Sequence, residues 1–203
     1  MSTTMPYQRD NFAHFLVYWM RYLVGINIEL PYRTFMRRSF ADAFVLVLKL
    51  VSNWTIAYFA YGVYPHATLW LIIMPYILAS FALMFGNFSQ HLFIDQEKFD
   101  DNMLLSFNCI GEYSNNHKIF NDGYHIVHHA NSKMHWSKMA SEFGDNWQEY
   151  DKQGALCFKG IDFFGVGILV MTGQLEKLAR DHYVGTDENV VETMKARLKP
   201  IKV

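Results

Sequence analysis

Four of the nine histidines in this 203-residue chain fall within the stretch Asn121 to Trp136. Three of them, His125, His128 and His129, stand at i, i+3 and i+4. In a helix starting near Tyr124, that spacing sends all three imidazoles from one face within one turn. Neutral imidazole binds iron, zinc and copper alike, so the spacing argues for a metal without choosing it, against the alternative of a polar helix face with histidines by chance. Glu112, Asp122, Glu142 and Asp145 are candidates to hydrogen-bond such ligands and fix their tautomers, or else solvated charges. His14, His66 and His182 stand alone in their segments and read as packing or surface residues. His117, in the polar run Asn115-Asn116-His117, reads as a surface residue, with ligation the alternative.

The run Gly123-Tyr124-His125-Ile126-Val127-His128-His129 resembles the last histidine box, H-x-x-H-H, of the membrane fatty acid desaturase and hydroxylase superfamily. Upstream, Asn87-Phe88-Ser89-Gln90-His91 resembles the N-x-x-x-H element that acyl desaturases place after their last transmembrane helix. Gly111-Glu112 and the lead-in Asn121-Asp122-Gly123 fall where that family keeps the loop before its last box, and the resemblance runs from about Arg37 to Trp136. It implies two iron ions ligated by His91, His125, His128 and His129, with Asn87 reaching the metal through water. His135, Asn121 and Asp122 are the neighbours expected to support those ligands. It further implies oxygen-dependent desaturation or hydroxylation of a lipid acyl chain, with electrons from a b-type cytochrome or a ferredoxin and a place in the endoplasmic reticulum membrane. The family's first two boxes have no counterpart before His91, where only His14 and His66 occur. The chain therefore resembles the carboxyl-terminal half of such a fold, and upstream coding sequence is expected to supply further helices and two histidine clusters. Two other readings compete. One is a membrane hydrolase with a single zinc on three histidines and Glu112 or Asp122 as general base. The other is a non-catalytic membrane protein or fragment that retains the box as a relic.

These ligands need elements to carry them. From Phe12 to Leu30 the apolar run is broken by His14, Arg21, Asn27 and Glu29, which predicts an interfacial helix ended by Pro31. Arg33, Arg37 and Arg38 form a basic collar. Ala41 to Tyr64 and Ala67 to Phe85 are each about the 20 residues a bilayer core requires, which predicts a transmembrane hairpin over about 41–85 turning at Gly62, Pro65 and His66. Pro75 should kink the second helix, and the resemblance places part of an apolar tunnel there. With the collar before the hairpin and no Lys or Arg in the turn, the positive-inside rule puts both ends in the cytosol. Residues 86–203 then form a cytosolic cap bearing the histidines. In it Asp95–Asp101 reads as a charged loop, Met103–Ile110 as a short helix or turn, and Phe163–Met171 as a helix too short to span. Gln174–Val203 reads as a charged tail without chemistry. The expected fold is an all-α integral membrane protein in a single, partial desaturase-like domain over 1–203.

Composition excludes other classes. A net charge of −1 and the lack of a basic stripe argue against nucleic acid as a partner. Hydrophobic residues make up 51% of the chain while mean hydropathy is near zero, so the apolar residues must be concentrated. Cys109 and Cys157 lie far apart, outside any C-x-x-C pattern, as expected of a reducing compartment. The polar start, Met1 to Asn11, has no signal-sequence pattern.

Overall fold

Helical periodicity and long uncharged runs govern most of the chain, and the computed structural model, which describes residues 4–98, 101–114 and 116–202, is mostly helical. Asn115, residues 99–100 of the expected charged loop and residues 1–3 of the polar leader lie outside the described residues. The chain divides into two units: Met1–Phe15 with Phe85–Val203, and Leu16–Met84.

The second unit holds α1 (Phe12–Met36) from Leu16 on, α2 (Phe40–Val63), the short α3 (Pro65–Thr68), a π-helical turn at Leu69–Ile73 and α4 (Met74–Gln90) as far as Met84. Among the described residues, two helices are long and apolar enough to cross a membrane, Phe40–Val63 and Pro65–Gln90. Only Tyr64 separates them, because Pro65 is pre-set for the first turn of a helix. Their large side chains, among them Phe44, Tyr58 and Leu71, are exposed, so these helices hide little of their surface within the protein. Side chains tie the unit together. Trp19 donates to the Ser80 hydroxyl (3.1 Å), Trp54 donates to Asn27 Oδ1 (3.0 Å), and the Trp54 and Tyr76 rings meet edge to face at 5.8 Å.

Two local expectations change. Pro31 lies inside α1 and does not end it. A proline ring removes one donor from the ladder, and here side chains hold the turn around it: Thr34 donates to Leu30 O (2.8 Å) and Arg33 pairs with Glu29 (3.2 Å). The helix stops five residues later, near Arg38, which adopts a left-handed conformation with φ 60°. Ahead of Pro75 the distortion takes the form of the π turn, in which Met74 N–H bonds to Leu69 O. The apolar groove of about 680 Å³ in this unit is walled by α1 and α2 residues such as Ile28, Val47, Val51 and Trp54.

The first unit carries the histidines, and it is not all helical. After α4 come a 3₁₀ turn (Asn102–Leu104), β1 (Asn108–Ile110), 3₁₀ turns at Glu112–Ser114 and Asn116–Lys118, and α5 (His125–Ala130). Then follow a 3₁₀ turn at Trp136–Lys138, α6 (Met139–Lys152), β2 (Cys157–Lys159), α7 (Phe163–Met171), α8 (Leu175–His182) and α9 (Val190–Arg197). β1 pairs in parallel with β2 in the register Asn108↔Cys157 and Ile110↔Lys159. Met103–Ile110 was expected to be a short helix or turn, but a strand's partner so far along the chain leaves no trace in local spacing. The expected charged tail is likewise part of the core. Leu178, Met194 and Leu198 are fully buried, since Val190, Met194 and Leu198 repeat every four residues and form one apolar stripe. α7 packs inside this unit, with Phe163, Val166 and Val170 buried. An aromatic cluster of Phe93, Phe107, Phe158 and Phe163, with ring centroids 5.4 to 5.9 Å apart, forms the floor beneath α5.

Polar side chains buried beside β1 fix the start of α5. Asn108 Oδ1 accepts from Ile126 N–H (3.0 Å), and Asn116 donates to Cys109 O (2.9 Å) while accepting from Gly123 N–H (2.9 Å). A Cβ on Gly123 would collide with the Asn116 side chain and the Cys109 carbonyl. Replacing Gly123 by Ala should therefore destabilise the protein by about 1–3 kcal/mol, the usual cost of overpacking a tight site. Thermal unfolding in detergent measures it, and an unchanged midpoint would show that the Asn116 bridge does not constrain α5.

Candidate metal centre

α5 is short, begins next to the Asn108 and Asn116 bridges, and has His125, Ile126 and Val127 buried. Ile126 and Val127 pack with Met139, Phe143 and Tyr150 of α6 and with Cys157 of β2, which orients the rest of the helix. His91 follows the last residue of α4, and its N–H bonds to Phe88 O (3.2 Å). The structure brings His91, His125 and His129 together: one ligand atom of each lies within 4.8 Å of the others. Their ring centroids are 4.9 to 5.3 Å apart.

Tautomers follow from the partners. The His91 Nδ1 lies 2.9 Å from Leu105 O, and a carbonyl only accepts, so Nδ1 carries the proton and Nε2 keeps its lone pair. His125 Nδ1 lies 3.3 Å from Asp122 Oδ1, which leaves Nε2 in the same state. Asp122 is itself held by Gln90, whose side-chain amide donates to Oδ2 at 2.5 Å. Burial pushes the Asp122 carboxyl up, but the His125 hydrogen bond and charge and the Gln90 bond outweigh it and leave the group below its ordinary value. His129 Nε2 is buried with no hydrogen-bond partner among the described residues.

Burial, then the neighbouring His125, draws the His91 pKa down to about 4. His129 falls to about 3, again through burial first and then through His125, His91 and His128. Both rings are therefore neutral at pH 7, as a ligand must be. The three ligand atoms lie close enough to one another for the rings to hold one ion between them. A buried donor atom without a partner, two pre-set lone pairs and neutral rings together fit a metal.

The other expected site residues are placed differently. His128 is exposed, its ring 5.7 Å from that of His125 and 6.0 Å from that of His129, outside the three-atom cluster. It lines a groove of about 770 Å³ with Lys118, Asp122, His125, Lys133 and Trp136. Asn87 is half-buried on the last turn of α4. Of the three expected supporting residues, Asp122 touches a cluster histidine. Asn121 donates to Trp136 O (3.1 Å), and His135 caps the 3₁₀ turn at Trp136–Lys138 through Ser137. His14 accepts from Gln8 N–H (2.8 Å), His66 lies in α3, and His117 and Glu112 are exposed. Gln90 and the Leu105 carbonyl were not foreseen. Gln90 is adjacent to His91 in sequence, a signal that was available, whereas nothing local marks Leu105.

A model of the fatty acid desaturase family matches residues 2–160 of the chain. No curated protein and no solved structure matches it.

The depressed histidine values make the metal-free protein sensitive to acid. Folded pKa values lie below the unfolded value of about 6.5, so the unfolded chain takes up protons that folded His91 and His129 refuse. Stability is complete above that value and falls as pH drops toward about 4, at up to about 1.4 kcal/mol per pH unit for His91 alone. Chemical denaturation between pH 7.5 and pH 5 should show this slope, and His91→Gln should reduce it. Equal slopes in the two proteins would mean that His91 is not held neutral by the fold.

Proposed function

The chain belongs to the fatty acid desaturase family, and on that premise we propose that it holds iron on His91, His125 and His129 and serves the oxygen-dependent desaturation or hydroxylation of a lipid acyl chain. The observation that carries the reading is the buried, unpartnered Nε2 of His129 beside two histidines whose Nδ1 atoms are already engaged. Iron bound there would supply dioxygen activation and with it the oxidation of an unactivated C–H bond. The protein's own part is positional and electrostatic. Leu105 O and Asp122 hold two rings in the ligating tautomer, and Gln90 holds Asp122. Phe163, whose ring lies 5.8 Å from that of His125, closes one side with apolar surface and limits water.

The reading includes two ions, with exposed His128 available to a second one and Asn87 reaching the metal through water. The family also supports an acyl lipid as substrate and a b-type cytochrome or ferredoxin as electron donor. Membrane insertion of α2 and of the run from Pro65 to Gln90 as a hairpin is supported by their length, hydropathy and exposed apolar side chains. The pairing of Trp54 with Tyr76, which stand at equal distances in sequence from Pro65, supports it further. The basic collar Arg33, Arg37 and Arg38 favours both ends in the cytosol. A second reading rests on the donor set: three imidazoles, one buttressed by a carboxylate, also suit a single zinc in a hydrolase.

Metal analysis of the chain purified in detergent separates the two. Iron should be present and zinc absent; zinc at one per chain would replace the iron reading with the hydrolytic one. His91→Ala, His125→Ala and His129→Ala should each remove the metal while membrane insertion persists, and His66→Ala should retain it. Loss of metal in His66→Ala would place the site elsewhere. For topology, a membrane-impermeant thiol probe should reach Tyr64→Cys only from the lumen and Ser132→Cys only from the cytosol. Labelling of both from one side would reject the hairpin.

A further inference from the structure

The N-terminal residues read as a polar leader, yet Thr4 and Arg9 are fully buried. Arg9 donates through Nε to Leu92 O (2.7 Å), through Nη2 to Arg197 O (2.6 Å) and Lys199 O (2.7 Å), and through Nη1 to Met5 O (3.2 Å) and Tyr7 O (3.4 Å). All of these acceptors are main-chain carbonyls, so the guanidinium joins three separate segments at one point. Thr4 Oγ1 donates to the carbonyl of His91 itself (3.1 Å). The C-terminal residues complete the arrangement. Ile201 N–H bonds to Met5 O (2.8 Å), Ile94 N–H bonds to Arg197 O (3.3 Å), and the Arg197 side chain reaches Asp95 (3.1 Å) and Gly154 O (2.7 Å). Four of the five residues from His91 to Asp95 thus take a bond from one terminus of the chain or the other.

We propose that Thr4 and Arg9 are positioning residues for the metal ligand His91: the N-terminal turn, anchored on the C-terminal segment, sets the peptide planes at His91 and Leu92 and so aims the imidazole at His125 and His129. His91 lies just past α4, where the helical ladder has tightened to i→i+3 bonds, His91 N–H to Phe88 O (3.2 Å) and Leu92 N–H to Ser89 O (3.3 Å), and leaves its carbonyl to Thr4. Its ring is held by Leu105 O. A carbonyl released on its backbone lets the Cα–Cβ direction drift, and three ligands that must converge on one ion tolerate little drift. The proposal rests on the metal reading above.

Cobalt(II) titration of the full-length chain in detergent, followed by d–d absorption, tests it. Thr4→Val keeps the shape of the side chain and removes its hydroxyl, and it should weaken cobalt binding about tenfold and shift the bands, as loss of supporting hydrogen bonds does at metal sites. Thr4→Ser should restore both. Arg9→Lys, which cannot reach five carbonyls, should act in the same direction and more strongly. Leu178→Ala, a buried change in α8, should lower the thermal midpoint without altering cobalt affinity or spectrum. Wild-type affinity and spectrum in Thr4→Val would overturn the positioning role, as would an equal loss in Leu178→Ala. A wild-type protein that takes up no cobalt would remove the metal reading and this role together, so the two failures are distinguishable.

Discussion

His91 and His129 can share one small volume only if both stay neutral. A proton added to either would meet desolvation and the charge of its neighbours, and both effects act in the same direction. The surrounding structure follows from this constraint. Neutral rings have one donor and one acceptor, so the orientation of each must be set by whatever its Nδ1 meets: a carbonyl at His91 and a carboxylate at His125. The aromatic floor of Phe107, Phe158 and Phe163 keeps the site apolar on one side, and Phe163 touches the cluster directly. What remains is a set of lone pairs, with the buried His129 Nε2 lacking a partner among the described residues.

The same logic separates the two units. In the unit from Leu16 to Met84 the large apolar side chains of α2 and α4 point outward, and its internal contacts are made by tryptophans and tyrosines that find polar partners. In the histidine-bearing unit the apolar residues turn inward, and buried polar groups such as Asn108, Asn116 and Arg9 are used as braces. An apolar surface suits a hydrocarbon solvent, whereas a metal site needs a packed polar framework that water cannot loosen.

Asp122 shows how closely the two motifs are joined. It belongs to the lead-in to the H-x-x-H-H run, yet it is held by Gln90, the neighbour of His91 in the other motif. The carboxylate thus couples the end of α4 to the start of α5: it holds the His125 ring, and the neighbour of His91 holds it. This interdependence explains why motifs more than thirty residues apart in sequence form one site.

The sequence by itself determined the periodic features: two long apolar helices, a helix bearing His125 and His129, and a short helix at Phe163–Met171, each specified by spacing that any local window contains. It also pointed to the family, because motif residues and their order are properties of the chain alone. Tertiary structure decided what depends on partners distant in sequence. The β1–β2 pair joins segments almost fifty residues apart, Arg9 was indistinguishable from a solvated charge until its carbonyl partners were in place, and the charged tail became core once Met194 and Leu198 met the rest of the unit. The division between His128 and the other two box histidines was equally invisible in spacing. Helical geometry puts all three on one face, and only His91, arriving from the end of α4, selects the two that form a buried cluster with it.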